Sequence, residues 1–314
     1  MQPSIHKRFA KFRKQFREHW QLLLFLIPGI TVLILFHYIP MYGVQIAFRE
    51  YLPAEGILGS KWVGLEYFRK FLTSFQISRI LPNTILLSLY MLVTGFPLTV
   101  LFALALNTVR DLRFKKLVQT VSYIPHFIST VVMVGMLMQM LSPVTGLYGN
   151  VYRLFGGSGY PKDLFGDGSM FRHLYVWSDL WQGLGWSTIV YIAALSSVDP
   201  ELHEAAEIDG ASRLARIRHI DFPAILPTVS VMLILTIGGI LNIGFDKVYL
   251  MQNNLNLRQS EIIATYVYKV GMSAGDGQFS YATAIGLFNS VINCLLLIIV
   301  NAISRRIEGG ATLW

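Results

Sequence analysis

Apolar residues in this chain gather into long runs with few or no charges, where a water-soluble fold would scatter them at the spacing of half-buried helices or strands. Six runs reach the length that crosses a hydrocarbon layer of about 30 Å at 1.5 Å per helical residue. They cover 21–40, 83–107, 117–141, 174–195, 226–249 and 281–303. The pattern predicts an all-α integral membrane protein with six transmembrane helices in a domain over 21–303. A basic segment, 1–20, precedes that domain and a short tail, 304–314, follows it. One connection, 199–223, is too long and too organised for a plain turn.

Composition sharpens this picture. Of 314 residues 54% are hydrophobic and 14% charged, against roughly a quarter charged in an average soluble domain. The net charge of +8 lies in short segments beside the apolar runs. It forms no stripe and no motif-bearing fold, which sets nucleic acid aside as a partner and leaves membrane lipid. Because Lys and Arg resist translocation, they report orientation. Lys7, Arg8, Lys11, Arg13, Lys14 and Arg17 precede the first run; Arg110, Arg113, Lys115 and Lys116 follow the second; Arg305 and Arg306 lie in the tail. With Arg213, Arg216 and Arg218, fifteen of the 26 basic residues fall in the shorter set of connections, which places both termini inside.

Phe9, Phe12, Phe16 and Trp20 recur at spacings of three and four, which fits a helix lying on the inner leaflet; a solvated basic tail fits the same stretch. A basic start before an apolar run also opens a secretory signal, but 21–40 is longer than a typical signal core and no small-x-small site closes it. Cys294 is the one cysteine, so neither an intrachain disulfide nor a multi-thiolate metal site can form. Pro28, Gly29, Gly95, Pro97, Pro125, Gly238 and Gly239 interrupt the runs, as membranes tolerate where neighbouring helices or a water-filled path satisfy the freed backbone groups.

The connection 199–223 reads as two short helices at an elbow. Asp199 can cap a helix starting at Pro200, with Glu201 in the first turn where the helix dipole favours an acid. Gly210 can take the left-handed geometry that ends a helix. A second helix carrying Arg213, Arg216 and Arg218 should stop near Phe222, because Pro223 disfavours helical geometry at the residue before it. Ala205, Ala206 and Gly210 give a low-relief surface that another protein could approach, and Glu204 and Asp209 offer charges for pairing. An amphipathic loop resting on the membrane is the plainer reading.

The string EAAEIDGASRLARIRHIDFPAILP resembles the EAA motif of binding-protein-dependent ABC import permeases. Glu204, Ala205, Ala206, Gly210, Ile220 and Pro223 fall on the motif's pattern, Phe222 stands where leucine is usual, and Pro227 matches a common second proline. The strings FHYIPMYGVQIAFREY, WVGLEYFRKF, YIPHFIS and SDLWQGLGWSTIVYIAAL resemble the sugar-importer branch, and more narrowly its LplB/YtcP-type polysaccharide permeases. The resemblance implies a type I importer permease fold whose first elbow helix docks in a cytoplasmic ATPase, with Glu207, Asp209 and Ala211 completing the coupling segment. It also implies two cytoplasmic ABC ATPase subunits that bind the ATP and Mg, an external substrate-binding protein, and a second related permease chain. That chain is expected as a heterodimer partner, and a homodimer stays open.

Other chemistry is sparse. No phosphate-binding Gly-x-x-x-x-Gly-Lys-[Ser/Thr] loop occurs, so this chain is not expected to be an enzyme and carries no catalytic residue or cofactor of its own. No histidine pair stands at metal-binding spacing, so no metal site is expected. His126 lies well inside a run and fits either a pathway or a packed histidine. Asp179, Asp246 and Lys247 sit near outer ends, where long side chains snorkel without a buried partner. A saccharide path needs amides and aromatic faces. Trp181, Gln182, Trp186, Asn242, Asn289 and Asn293 supply them, the last two sharing a helix face; each also fits interhelical bonding or an interfacial belt. Peptide or compatible-solute cargo is the nearest rival. A secondary carrier would need midplane coupling-ion acids or repeat symmetry, and a signalling protein a soluble module; neither pattern is present.

Overall fold

Thirty-one residues without one acidic side chain, Ile77–Asn107, make the longest helix among the described residues. The computed structural model describes residues 20–22, 24–273 and 278–306. Four helices in it are long and apolar enough to cross a membrane. In chain order, α1 covers Trp20–Phe48 and loosens into π and 3-10 turns from Ile34 onward. A hairpin of β1, Arg49–Glu50, and β2, Lys61–Trp62, follows with Arg49 opposite Trp62. Then come α2 (Glu66–Leu72), α3 (Ile77–Asn107), α4 (Leu112–Tyr123), α5 (Thr130–Met140) and α6 (Leu147–Leu154). The second half holds α7 (Gly168–Ser187), α8 (Ile189–Leu195), α9 (Pro200–Ile208), α10 (Arg213–Gly238), α11 (Phe245–Met251), α12 (Ile263–Tyr268) and α13 (Phe279–Ser304). The amphipathic segment expected over 1–20 lies outside the described residues except for Trp20, as does the tail beyond 306.

The apolar runs locate helices, but not all of them are single rods: 174–195 is split at Thr188, and two others break more sharply. The run expected over 117–141 is broken: α4 continues through a 3-10 turn at Ile124–Phe127, Ile128 is extended, and α5 departs at 98°. Pro125 offers no N–H to an α-helical ladder, and Ser129 starts α5 afresh by accepting from Val132 N. The run expected over 226–249 stops at Gly238, and α11 is a separate piece after the bend 239–244. Two adjacent glycines are poor helix formers. Gly238 also packs so tightly that an added Cβ would lie 2.4 Å from Leu297 Cδ1.

The second elbow helix does not stop before Pro223. A π turn at Ile217–Asp221, with Phe222 N–H on Ile217 O, carries α10 from the elbow into the apolar run. Pro223 then sits in the first turn of the stretch Phe222–Gly238, where its missing N–H breaks no bond.

Two polar features hold this frame. Inside α3, the hydroxyls of Thr84, Ser88, Thr94 and Thr99 bond back to carbonyls one turn earlier, an arrangement that satisfies polar groups in apolar surroundings. At the end of α3 remote from the elbow, buried Glu261 pairs with Arg79 and with Lys269 at 3.7 Å. Asn83 ties the same loop to α3 through Arg258 O and Glu261 O. Against this frame α10 packs on α13, and α3 and α4 pack on α7. The apolar window of α1 is wholly exposed in the isolated chain.

Candidate functional site

The elbow forms as its local signals dictate. Asp199 Oδ1 accepts from Glu201 N at 2.9 Å and starts α9. Gly210 ends it at φ +76°, with Ala211 N on Ala206 O at 2.8 Å and Gly210 N on Glu207 O at 3.1 Å. That pair of bonds closes the last turn and reverses the chain. Ser212 then caps α10 through Ala215 N. Leu202, Ala205 and Ile208 recur every three residues along α9 and are exposed, Ile208 to 86%, with Leu214 beside them at 74%. An apolar stripe of this kind on an otherwise polar connection has the chemistry that suits contact with another protein. Glu204, Asp209 and Gly210 are exposed at its margins, Ala206 and Ala211 are half-buried, and Ile220 and Pro223 lie on α10 at its back.

The elbow's acids divide by partner. Glu207 turns to its own chain, accepting from Arg110 Nη2 at 2.7 Å and from Arg216 Nη1. The two guanidinium hydrogen bonds, Arg110 first, hold its carboxyl below the usual glutamate range. Asp221 is buried and meets His203 Nε2 and Asn107 Nδ2, each at 3.2 Å. Sequence reasoning found Glu207 as part of a motif but not its partners, of which Arg216 lies nine residues on and Arg110 lies 97 residues before it.

Two clefts lie among the apolar helices. One of about 510 Å³ runs between α3, α7 and α10, lined by Asp179, Trp186 and Asn242 among others. The second, about 690 Å³, lies between α12 and α13 beside Phe245, Tyr268 and Asn289. Phe245, Tyr249 and Tyr268 form one ring cluster with centroids 5.0–5.2 Å apart.

Of the six sidechains expected along a pathway, the structure joins three. Asn242 Oδ1 accepts from Asn289 Nδ2 at 3.1 Å and Asn293 Nδ2 at 2.9 Å, and Asn293 Oδ1 accepts from Leu241 N at 3.2 Å. The trio thus pins the bend after α10 to α13. Asn289 Oδ1 is buried without a hydrogen-bond partner among the described residues. Gln182 serves the other break, donating to Ile128 O at 2.7 Å. Trp186 stacks on His126 at 4.4 Å and 4°. Trp181 is 53% exposed and lines neither cleft.

Asp179 and Lys247 do not snorkel apart as expected. Lys247 Nζ is 3.0 Å from Asp179 Oδ1 and 3.0 Å from Tyr175 O, over the Tyr175 ring at 4.6 Å. Because α11 folds back against α7, the ammonium faces protein. Among the described residues no group of three or more His, Cys, Asp or Glu could hold a metal ion.

Comparison with known proteins places these features in context. Residues 95–309 match the family described as binding-protein-dependent transport system inner membrane component. The chain is similar to the polygalacturonan/rhamnogalacturonan transport system permease protein YteP of Bacillus subtilis, at 43% identity over 91% of this chain and 88% of the relative. It is 40% identical to Protein LplB of the same organism over 93% of this chain and 90% of the relative. Among solved structures, a bacterial ABC transporter involved in import of the acidic polysaccharide alginate superposes with a TM-score of 0.84 at 35% identity. That match covers 95% of this chain and 99% of the other. The alginate transporter in complex with a periplasmic protein carrying alginate pentasaccharide gives 0.83 at 35% identity, over 93% and 96% of the two chains.

Proposed function

We propose, because this chain belongs to the family of binding-protein-dependent transport system inner membrane components, that it is the permease subunit of an ATP-driven importer of oligosaccharide or polysaccharide-derived cargo. The observation that carries the reading is the elbow: a capped helix, closed by Gly210, presents an apolar stripe that nothing among the described residues covers. Two cytoplasmic ATPase subunits dock there, bind ATP and Mg, and carry out the hydrolysis; this chain supplies the path. The saccharide assignment draws on relatives named for polygalacturonan/rhamnogalacturonan and alginate, and on a groove whose Phe245 and Tyr268 rings suit sugar ring faces.

The remaining architecture completes the proposal. The four long helices, the bent pair α4–α5 and the more polar α7–α8 act as six membrane-crossing units with both termini inside. A second, related permease chain forms a heterodimer with this one, and an external binding protein like that in the alginate complex delivers cargo. Alternating access then follows if the two states contact cargo differently.

Co-purification from native membranes tests this, comparing wild type with Glu204→Lys and Gly210→Pro. Wild type should bring down ATPase subunits and a second permease, and the variants should lose the ATPase or its coupling to uptake. Wild type recovered alone would sink the importer reading and leave a secondary carrier as the better one.

A further inference from the structure

Glu207 ties the elbow helix to other elements through an ion-pair network. Its Oε1 accepts from Arg110 in the turn between α3 and α4 and from Arg216 at the start of α10. One carboxylate oxygen therefore joins three elements. A second link runs in parallel: His203 on α9 meets buried Asp221, which accepts from Asn107, the last residue of α3. The elbow helix is thus fastened to the end of α3 at two points, one exposed and one buried. Leu202, Ala205 and Ile208 stay free on its apolar stripe. Exposed ion pairs contribute little to fold stability, so a network of this form is better suited to fixing geometry than to holding the chain folded.

We propose that Glu207 is a positioning residue that passes displacement of the elbow helix to Arg110, and so to α3, instead of contacting the ATPase. The proposal rests on the reading of the elbow as the ATPase-docking element. A rigid link has two consequences that a docking contact lacks. Its removal leaves the ATPase bound and hydrolysing but lowers cargo moved per ATP. A covalent substitute for the ion pair restores that ratio.

The test uses the complete importer in proteoliposomes, with its ATPases and binding protein, in a Cys294→Ser background. Glu207→Ala and Arg110→Ala should each lower cargo imported per ATP by about five- to tenfold, the lower range of measured coupling effects. The double variant should be no worse than Glu207→Ala alone, because the bond that Arg110→Ala removes is already lost in Glu207→Ala. ATPase recovery should stay at the wild-type level. In a Glu207→Cys/Arg110→Cys chain the ratio should fall likewise and return when a short bifunctional thiol reagent bridges the two positions. Unchanged ratios in the single variants overturn the proposal. So does arrest of transport by the bridge, which means that elbow and turn slide past each other. Loss of the ATPase from Glu207→Ala makes Glu207 a docking contact and overturns the link alone, whereas a wild-type importer that retains no ATPase removes the docking reading and the link with it.

Discussion

Gly185 lies where α7 packs tightly on Ser122 of α4, and replacing it puts a number on that contact. A Cβ built there would lie 2.3 Å from Ser122 O and 2.5 Å from Ser122 C, backbone atoms that cannot rotate aside. Ordinary contact begins at 3.4 Å, so Gly185→Ala forces the helices apart by about 1.1 Å. The same displacement stretches the Gln182–Ile128 bond from 2.7 Å to about 3.8 Å, beyond hydrogen-bond range. The stack of His126 on Trp186 loosens with it. Overpacking of this kind costs about 1–3 kcal/mol, partly masked by the gain of about 1 kcal/mol for alanine over glycine in a helix. Gly183 supplies the control, since its Cβ would meet nothing within 4 Å on the same helix. Comparing Gly185→Ala with Gly183→Ala cancels the propensity gain and leaves the clash. Thermal unfolding of the detergent-purified protein should place Gly185→Ala several degrees below Gly183→Ala. Equal midpoints for the two variants would refute the close contact, and with it the account of how the α4–α5 bend is held.

Three further outcomes follow from the geometry. Gly210→Ala should cost roughly 1–2 kcal/mol, because the left-handed conformation crowds a Cβ, while Gly210→Asn should cost less; recovery of ATPase on co-purification ranks the two. Asp179→Asn should destabilise more than Lys247→Met, because the lysine side chain is 5% exposed and its partner 40%. The first change strands a buried charge, and melting midpoints of the two variants and their combination report it. Glu207 has its carboxyl lowered by two guanidinium groups, so its bonds are complete above the ordinary glutamate value of about 4.3 and are lost only as pH falls through the lowered one. The ratio of wild-type to Glu207→Gln coupling should therefore hold constant from about pH 5 to 8, and convergence of the two within that window would count against the assignment.

The elbow was legible residue by residue because its signals are local. Asp199 two residues ahead of Glu201, and Gly210 where a left-handed residue closes the helix, are backbone requirements that a short string displays. Long-range pairing was not legible. Nothing near Glu207 in sequence names Arg110, and Asp179 gives no sign of Lys247, because α11 turns back only after the glycine-rich bend. Averaged hydropathy located the runs, and Pro125, Gly238 and Gly239 marked the places where two of them break, but not how far the chain turns there. Ile124–Ser129 is apolar enough to continue a helix on composition, yet Pro125 and the extended Ile128 turn the chain through 98°. Pro223 failed as a stop signal for the opposite reason: the π turn before it shifts the hydrogen-bond ladder by one residue. Among the candidate pathway residues the shared face of Asn289 and Asn293 was sound geometry. Their common acceptor, Asn242, became visible only once the bend brought it to them.

The π turn that carries α10 past Pro223 makes the elbow and the asparagine trio opposite ends of one lever. Its 26 residues at 1.5 Å each give an arm of about 39 Å, so a tilt of only about 5° at the elbow end sweeps the far end through about 3 Å. That arc is comparable to the hydrogen bonds by which Asn242 holds Asn289 and Asn293. A helix interrupted at Pro223 would dissipate such a rotation at the joint; one that continues through it, with Pro227 inside, passes the rotation on toward the bend after Gly238.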